Sequence, residues 1–389
     1  MAGMDPAGTD PTDLLRRALA DEPAYLDTLR GLVEIESPSG DRAAGQRLAD
    51  HLAARLDADG WTVEREARTE VGDLLLARLD GGDPHDGTLI LAHYDTVWPV
   101  GTLAEMPWRR DGDRVHGPGA LDMKAGIATA LHATRLARAH GGLRGPVTLL
   151  VSSDEETGSA DSREAIEREA RRHARVLVVE PGRDDGALKV GRKGVGDVRV
   201  RFRGRSAHAG LNPEEGASAL RELAHFLFFA EDLGDAEKGT TVNLTVASGG
   251  SAGNVVAEQA VARLDVRVLR MDEGERVEAA LRGYRPHDRR VTVEASGGMN
   301  RPPMERTAEN AVLAEEARDA ADALGLRFAE AVVGGGSDGN FTSALGVPTL
   351  DGLGAVGEGP HARHEHVRVR PTLERAALLA ALLTGRADR

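Results

Sequence analysis

The amino-acid sequence predicts an α/β protein in which a mostly parallel sheet carries helices on both faces and is interrupted by an inserted α+β domain with an antiparallel sheet. Short apolar runs such as 88–93 and 147–153 alternate with helical segments of about 10–18 residues, which is typical of buried parallel strands. Over 197–203, apolar and charged residues alternate, as in a half-exposed antiparallel strand. The buried pattern returns after Thr307.

The first part of the chain supplies most of the predicted parallel sheet. Amphipathic patterns predict a helix over 14–34 and another over 42–59, which Gly60 closes. A helix rich in Ala and Leu is predicted over 123–139, because the pattern stops before a pair of glycines. The other elements predicted here are strands over 73–79, 88–93, 147–153 and 175–180, and a helix over 162–172.

The middle of the chain supplies the predicted insertion. Its elements are strands over 197–203, 241–246 and 261–269 and helices over 217–230 and 275–282. Buried-type elements then follow as a helix over 307–324, strands over 327–333 and 347–350, and a helix over 373–383. We therefore predict a discontinuous domain of residues 1–191 and 303–389, into which residues 192–302 are inserted.

Composition excludes several classes of function. The chain has 49 basic and 63 acidic residues and a net charge of −14, so nucleic acid and anionic membranes would be repelled and are not expected partners. Residues 1–12 are small and acidic, which argues against a cleaved secretory signal and favours a cytoplasmic location. Cysteine is absent, so any metal must be held by His, Asp and Glu.

Carboxylates and one histidine cluster where predicted strands end. His93 and Asp95 close one strand, Glu155 and Glu156 follow another, and Glu180 ends a third. A fourth cluster contains Asp122 and opens the helix at 123–139. The carboxyl ends of parallel strands meet at one edge of a sheet, so these groups can converge. Such a set suits two divalent ions sharing a bridging carboxylate, with one of the paired glutamates free to act as general base.

The remaining histidines are weighed by their setting. His208 follows the half-exposed strand of the insertion, where a surface role is the simpler interpretation of the residue alone. His361, His364 and His366 cluster near the end of the chain, and at most two of them are expected to be ligands. His361 is favoured because it directly follows a Gly-Pro turn. His116 lies close to the Asp122 loop and stays open on chemistry alone.

A glycine-rich segment at 334–339 offers a competing interpretation. It contains a Gly-x-Ser-x-Gly pattern, and Ser337, Asp351 and His361 occur in the order of a serine-hydrolase triad. That hypothesis leaves the four acidic clusters without a purpose. We therefore favour a glycine-rich loop that lines a substrate pocket, with Gly335 as a candidate contact.

The ordered motifs resemble those of the co-catalytic dizinc aminoacylase and carboxypeptidase family, which includes desuccinylases, and most closely its glutamate carboxypeptidase branch. The resemblance spans residues 25–385 and rests on six motifs, namely His93-x-Asp95, Gly117-x-Gly-Ala-x-Asp122-Met-Lys, Asp154-Glu155-Glu156-x-Gly158, Glu180-Pro181, Ser206-Ala-His208-Ala-Gly and His361-x-x-x-Glu365.

This resemblance implies a role for each residue that matches a motif. Asp122 would bridge two Zn²⁺ ions, or Co²⁺ or Mn²⁺ in their place, and Glu155 would be the general base. His208, on an inserted domain that forms a homodimer in this family, would stabilise the oxyanion in the partner's site. The other implied roles are metal ligation by His93 and Glu180 at one ion and by Glu156 and His361 at the other, orientation of His93 by Asp95, and substrate binding by Asn254 and Arg301.

The implied reaction is hydrolysis of an amide bond to an amino acid with a free carboxylate, in a small peptide or an N-acyl amino acid. C-terminal glutamate is the first expectation, because the guanidinium of Arg301 can hold a carboxylate through two parallel hydrogen bonds. Deacylation or other amide processing in a biosynthetic pathway, on the same dizinc site, remains an alternative to this carboxypeptidase-type activity.

Overall fold

The computed structural model describes residues 11–79 and 82–384. Most of the acidic segment over 1–12 therefore lies outside the described residues. No helix in the described ranges combines the length and apolar character needed to cross a bilayer. The α-helices are α1 (Pro11–Ala20), α2 (Glu22–Val33), α3 (Arg42–Ala58), α4 (Thr102–Glu105), α5 (Ala125–His140), α6 (Arg163–Ala170), α7 (Ala219–Glu231), α8 (Met271–Gly283), α9 (Ala308–Ala323), α10 (Gly339–Ala344) and α11 (Val369–Leu383).

The strands form one large mixed sheet, one antiparallel sheet and two smaller sheets. They are β1 (Thr62–Glu66), β2 (Leu74–Leu79), β3 (Thr88–His93), β4 (Arg109–Asp111), β5 (Arg114–His116), β6 (Val147–Ser152), β7 (Arg175–Val178), β8 (Leu188–Arg192), β9 (Gly194–Arg203), β10 (Thr241–Gly249), β11 (Gln259–Val268), β12 (Thr292–Arg301), β13 (Glu330–Val333), β14 (Thr349–Leu350), β15 (Gly357–Glu358) and β16 (His366–Arg368).

The large sheet has the strand order β1-β2-β6-β3-β7-β14. Strands β6, β3, β7 and β14 run parallel, whereas β2 runs antiparallel to both of its neighbours, β6 and the edge strand β1. The predicted mostly parallel sheet is therefore confirmed. His93 lies opposite Ser152 in the register of β3 and β6, so these two strands end together.

Burial on both faces explains the continuous apolar runs of this sheet. Leu89 and Leu91 of β3 pack on one face in a cluster that includes Ile166 of α6 and Phe341 of α10. Ile90 faces the opposite side, in a core that also contains Leu379 of α11. Because every residue of β3 is buried, its sequence shows no polar alternation.

Each of two compact units has its own internal packing. One contains the described residues up to Gly191, Arg306–Val332 and those from Ser337 onward; the other contains Arg192–Glu305 and Val333–Gly336. The short return segment Val333–Gly336 was absent from our interpretation of the sequence. The predicted boundaries after residues 191 and 302 stay a prediction of domain organisation.

The second unit holds the antiparallel sheet, in the order β10-β11-β9-β12. Val198, Val200 and Phe202 of β9 are buried, while the arginines between them are exposed, as the alternation predicts. Strand β12 was not predicted, because its glycines interrupt the alternation of apolar and polar residues. At Gly297 a side chain would lie 2.2 Å from the carbonyl oxygen of Asp197, so only glycine allows the strands to approach here.

Two predicted helices differ from the structure in instructive ways. The helix predicted over 14–34 is two helices, α1 and α2, separated at Asp21, because Pro23 in the first turn of α2 cannot donate to a continuous helix. The helix predicted from residue 123 begins at Ala125 instead. The preceding residues form a separate turn, Ala120–Lys124, in which Asp122 and Met123 have non-helical backbone angles.

Candidate metal centre

Four chain segments bring polar side chains to one edge of the large sheet. Strand β3 ends in His93, and Glu180 follows β7. A short helical turn, Glu155–Thr157, follows β6. Asp122 comes from the turn that precedes α5. The parallel register of β3, β6 and β7 aligns the strand ends, so local sequence and sheet topology together place these groups near one another.

The side chains form two groups that share one carboxylate. Nε2 of His93 lies 3.4 Å from Oδ1 of Asp122 and 3.4 Å from Oε1 of Glu180. Nε2 of His361 lies 3.4 Å from Oδ2 of Asp122 and 3.0 Å from Oε1 of Glu156. Each oxygen of Asp122 thus faces a different histidine, which is the geometry required of a carboxylate that bridges two ions.

Burial and neighbouring charges shift the pKa values of His93, His361 and Glu156. Burial lowers the pKa of His93, but the nearby carboxylates of Asp122, Asp95 and Glu180 outweigh it and leave the pKa well above its usual value. The hydrogen bond to Asp122 raises the pKa of His361. Burial raises the pKa of Glu156, and the charge of Asp122 adds to that effect. So much negative charge at one edge is stabilised when cations are present.

The donor set fits divalent metal ions. Nδ1 of His93 donates to the main-chain oxygen of Asp95 at 3.0 Å, which leaves the lone pair of a neutral ring on Nε2. That Nε2 is buried and makes no hydrogen bond within the described ranges, although two carboxylates face it. In each group, the ligand atoms of one imidazole and two carboxylates lie within 4.8 Å of one another, which suits zinc, cobalt or manganese.

Comparison with known proteins identifies the family. Residues 89–385 match the family described as Peptidase family M20/M25/M40. The chain is 31% identical over 382 residues to carboxypeptidase G2 of Pseudomonas sp. (strain RS-16), covering 95% of this chain and 91% of that protein. This chain belongs to the M20 peptidase family. The resemblance stated from the six motifs is therefore confirmed at the level of family, and the chain is a hydrolase of that family.

Two further comparisons are with a curated enzyme and with a solved structure. Acetylornithine deacetylase of Myxococcus xanthus is 31% identical over 256 residues, which cover 60% of this chain and 64% of that enzyme. The crystal structure of aminopeptidase PepT from Bacillus cereus superimposes with a TM-score of 0.77 at 23% identity, covering 93% of this chain and 98% of that one. The latter similarity establishes the fold and no more.

Asp95 contacts two parts of the M20 site, the ring of His93 and the turn that carries Glu155 and Glu156. Its main-chain oxygen fixes the ring of His93, and its carboxylate Oδ1 lies 3.4 Å from the same Nδ1. The carboxylate also accepts the main-chain N–H groups of Glu155 and Glu156, both at 3.2 Å, and the hydroxyl of Ser39 at 2.6 Å. Asp95 therefore ties the turn carrying the paired glutamates to the end of β3. The family resemblance implied that Asp95 orients His93, but it did not imply the contacts with Glu155 and Glu156.

His361 reaches the cluster from an unusual backbone conformation. Its φ of 61° lies in the left-handed region, which few residues other than glycine adopt, although histidine does so more often than most. His364 instead packs near Gly359, and His366 pairs with His116 in neighbouring strands β16 and β5. None of these three other histidines belongs to either potential metal-binding group of the described residues.

The serine-hydrolase alternative does not assemble. The hydroxyl of Ser337 donates directly to Oδ2 of Asp351 at 2.6 Å, with no imidazole between them, and both residues are buried. His361 contacts Glu156 and Asp122 instead. In a Ser-His-Asp triad the histidine lies between serine and aspartate and takes the serine's proton, so the predicted triad is not formed.

The predicted substrate contacts and His208 lie in the second unit. His208 is exposed, and its Nδ1 accepts the N–H groups of Gly210 and Leu211, both at 3.1 Å. Asn254 is also exposed, and it lies close to His208 because its main-chain oxygen accepts the N–H of Ala209. Arg301 is buried at the end of β12, and Gly335 is exposed in the return segment, where its carbonyl oxygen accepts from Arg192.

Proposed function

We propose that this M20 hydrolase is a dimetal amidohydrolase of the carboxypeptidase type, which cleaves an amide bond to an amino acid with a free carboxylate. The proposal rests on the orientation of the Asp122 carboxylate, which directs one oxygen toward His93 and the other toward His361. A structural zinc site would surround a single ion with four ligands and would not need this division.

The proposed ligands follow from the two groups. His93 and Glu180 would hold one Zn²⁺ and His361 and Glu156 the other, with Asp122 offering one carboxylate oxygen to each. Two such ions supply Lewis acidity and lower the pKa of water. Zn²⁺ is the proposed native metal, and Co²⁺ and Mn²⁺ fit the same donors.

Glu155 is the proposed general base, which takes a proton from the attacking water and later delivers it to the departing amine. It adjoins Glu156 on the same turn, and its charge is one of the influences that raise the pKa of Glu156, after burial and Asp122. Its main-chain N–H is fixed on Asp95 at 3.2 Å. Neighbouring side chains of one turn point in different directions, so one glutamate can bind metal while the other moves protons.

His208 is the proposed donor to the oxyanion of the tetrahedral intermediate, acting in the partner's site of a homodimer. Because Nδ1 accepts two main-chain N–H groups, a neutral ring carries its proton on Nε2 and presents a donor to solvent. For the homodimer, β10 is an edge strand of the antiparallel sheet, and Phe228 and Val246 are exposed apolar residues of this unit. Unpaired strand edges and exposed apolar groups favour association.

Replacing His208 with Ala is expected to lower kcat by about 10²–10³, the cost of losing one oxyanion donor, with metal content unchanged. His287→Ala removes another exposed histidine of the same unit and serves as the control. Mixing His208→Ala with Glu155→Gln subunits should restore activity, because one site per hybrid dimer regains both groups. Freshly exchanged hybrids without any recovery would show that His208 does not act across the interface.

The proposed substrate carries a free carboxylate next to the scissile amide. Arg301 is the proposed carboxylate ligand, and Asn254 and Gly335 are proposed to contact the rest of the substrate. The name of the Pseudomonas relative, a carboxypeptidase, supports hydrolysis at a C-terminal residue. Glutamate as that residue is our first expectation.

Arg301→Ala is expected to raise KM strongly for substrates with a free carboxylate, because the two-pronged contact is lost. Arg301→Lys should recover little, since an ammonium group keeps the charge without the fork. The measurement is kcat and KM for a free acid and its methyl ester. Equal cleavage of acid and ester by the wild-type protein would remove Arg301 from this role.

Deacylation of an N-acyl amino acid, as a step of a biosynthetic pathway, is the second candidate function. It is favoured by the similarity to acetylornithine deacetylase of Myxococcus xanthus. The chemistry of the proposed site is the same, and only the acyl group and the amino acid differ. A substrate panel therefore has to contain both peptides and N-acetyl amino acids.

The deciding experiment combines metal analysis with that panel. The expected result is about two divalent ions per chain by mass spectrometry, with hydrolysis lost on chelation and regained when metal is added. The best substrate then separates a carboxypeptidase from a deacylase. Protein that hydrolyses the panel after complete metal removal would overturn the proposal.

A further inference from the structure

Glu365 is a buried carboxylate that contacts the chain beside Asp122. It lies four residues after His361 and is fully enclosed. Its Oε1 accepts the main-chain N–H groups of Leu121 at 2.8 Å and of Asp122 at 3.1 Å. Its Oε2 accepts the main-chain N–H of Gly119 at 3.1 Å and the indole N–H of Trp98 at 2.9 Å. All four contacts come from N–H donors; two of these donors belong to the turn that carries Asp122, and a third, Gly119, directly precedes that turn.

We propose that Glu365 is a positioning residue, which fixes the main chain of Asp122 so that its two carboxylate oxygens divide between the two metal ions. The inference rests on the proposed function, in which Asp122 bridges those ions. The amide of Asp122 itself is one of the groups that Glu365 holds, so freeing it would allow the bridging side chain to rotate. A bridging ligand that is not held in place binds both ions less tightly.

The hydrogen bonds require an ionised carboxylate and exclude its closest isostere. Each oxygen of Glu365 accepts two N–H groups. A glutamine has one oxygen and one NH₂ group, so either orientation of the amide places two donors against two donors. Gln at this position should therefore behave more like Ala than like Glu, although its shape is nearly that of the native residue.

Glu36 provides a matched control. Its carboxylate also accepts main-chain N–H groups of a nearby loop, from Gly101 at 2.8 Å and Leu103 at 2.8 Å. Both Glu36 and Glu365 act electrostatically on buried Lys124, so Glu36→Gln removes a comparable charge from the neighbourhood. Glu36 accepts these hydrogen bonds from the 101–103 loop, whereas Glu365 accepts from the Asp122 turn. Trp98→Phe removes one of the four donors and leaves the three main-chain contacts.

The test is a titration of metal-free protein with Zn²⁺ against a competing chelator. For Glu365→Gln and Glu365→Ala, the affinity of both sites should fall together by about 10–100-fold, the usual effect of losing a group that orients a ligand. Glu36→Gln and Trp98→Phe should stay close to wild type. At saturating Zn²⁺, Glu365→Gln should reach most of the wild-type kcat with KM unchanged. A misfolded variant would not recover activity in this way.

The outcomes separate this inference from the proposed function. If wild-type protein binds two ions and Glu365→Gln binds them as tightly, the positioning role is wrong and the function stands. If wild-type protein binds no divalent ion, both are wrong. Should Glu365→Gln fail to fold by circular dichroism, Glu365→Asp decides, because it keeps the charge but cannot reach all four donors. Wild-type affinity in Glu365→Asp would then overturn the inference.

Discussion

Glu155→Gln is expected to lower kcat by about 10²–10⁴ while the protein keeps its full complement of metal. Loss of a general base costs a reaction about this much, and the upper end is expected because the same carboxylate is proposed to protonate the leaving amine. The amide of Gln cannot take a proton from water, yet it preserves the main-chain contact of residue 155 with Asp95. KM should change little, since the proposed substrate contacts lie elsewhere.

Metal analysis and a control variant make this expectation specific. Glu164→Gln changes an exposed glutamate of α6 and should leave both kcat and metal content unaltered. A loss of one metal ion in Glu155→Gln would show that Glu155 is a ligand and that its neighbour Glu156 is the base. A fall in kcat of less than tenfold would show that another group accepts the proton.

The parts of the fold that depend on local pattern were predictable from the sequence. The bounds of β3 agree with the predicted 88–93, because an unbroken apolar run between polar residues reflects a strand buried on both faces. Strand β12 was missed because the positions at 297 and 298 are glycines, chosen for close approach to β9 and not for any alternation. Pro23 indicates the break of the helix at Asp21, but the apolar periodicity continues across it and predicts a single helix.

The candidate site shows the same limit more clearly. His93, Asp122 and Glu180 were singled out because each stands at a strand end or helix start, and the sheet brings those ends together. The contacts of Asp95 with the turn at 155–156 and of Glu365 with the Asp122 turn link residues 60 to 246 positions apart. No local pattern encodes such pairs, so these contacts have no sequence signal beyond the place of their residues in a family motif.

Asp122→Asn is expected to abolish binding of metal at both sites together, whereas Glu180→Gln and Glu156→Gln should each weaken one site. Among the described residues, Asp122 alone belongs to both histidine groups, and an amide offers one oxygen and one NH₂ group where two oxygens are needed. The ions would stabilise the transition state by several kcal/mol, so their loss should lower kcat/KM by more than about 10³.

Metal stoichiometry and thermal unfolding with and without Zn²⁺ measure this difference directly. An ion that binds only the folded protein raises the midpoint of unfolding, so the midpoint should rise for wild-type protein and stay unchanged for Asp122→Asn. Glu180→Gln and Glu156→Gln should show a smaller rise and about one ion each. If Asp122→Asn still bound one ion tightly, Asp122 would serve a single site and the ions would not share it. The shared carboxylate, and with it the proposed dinuclear mechanism, would then be wrong even though both histidine groups remained.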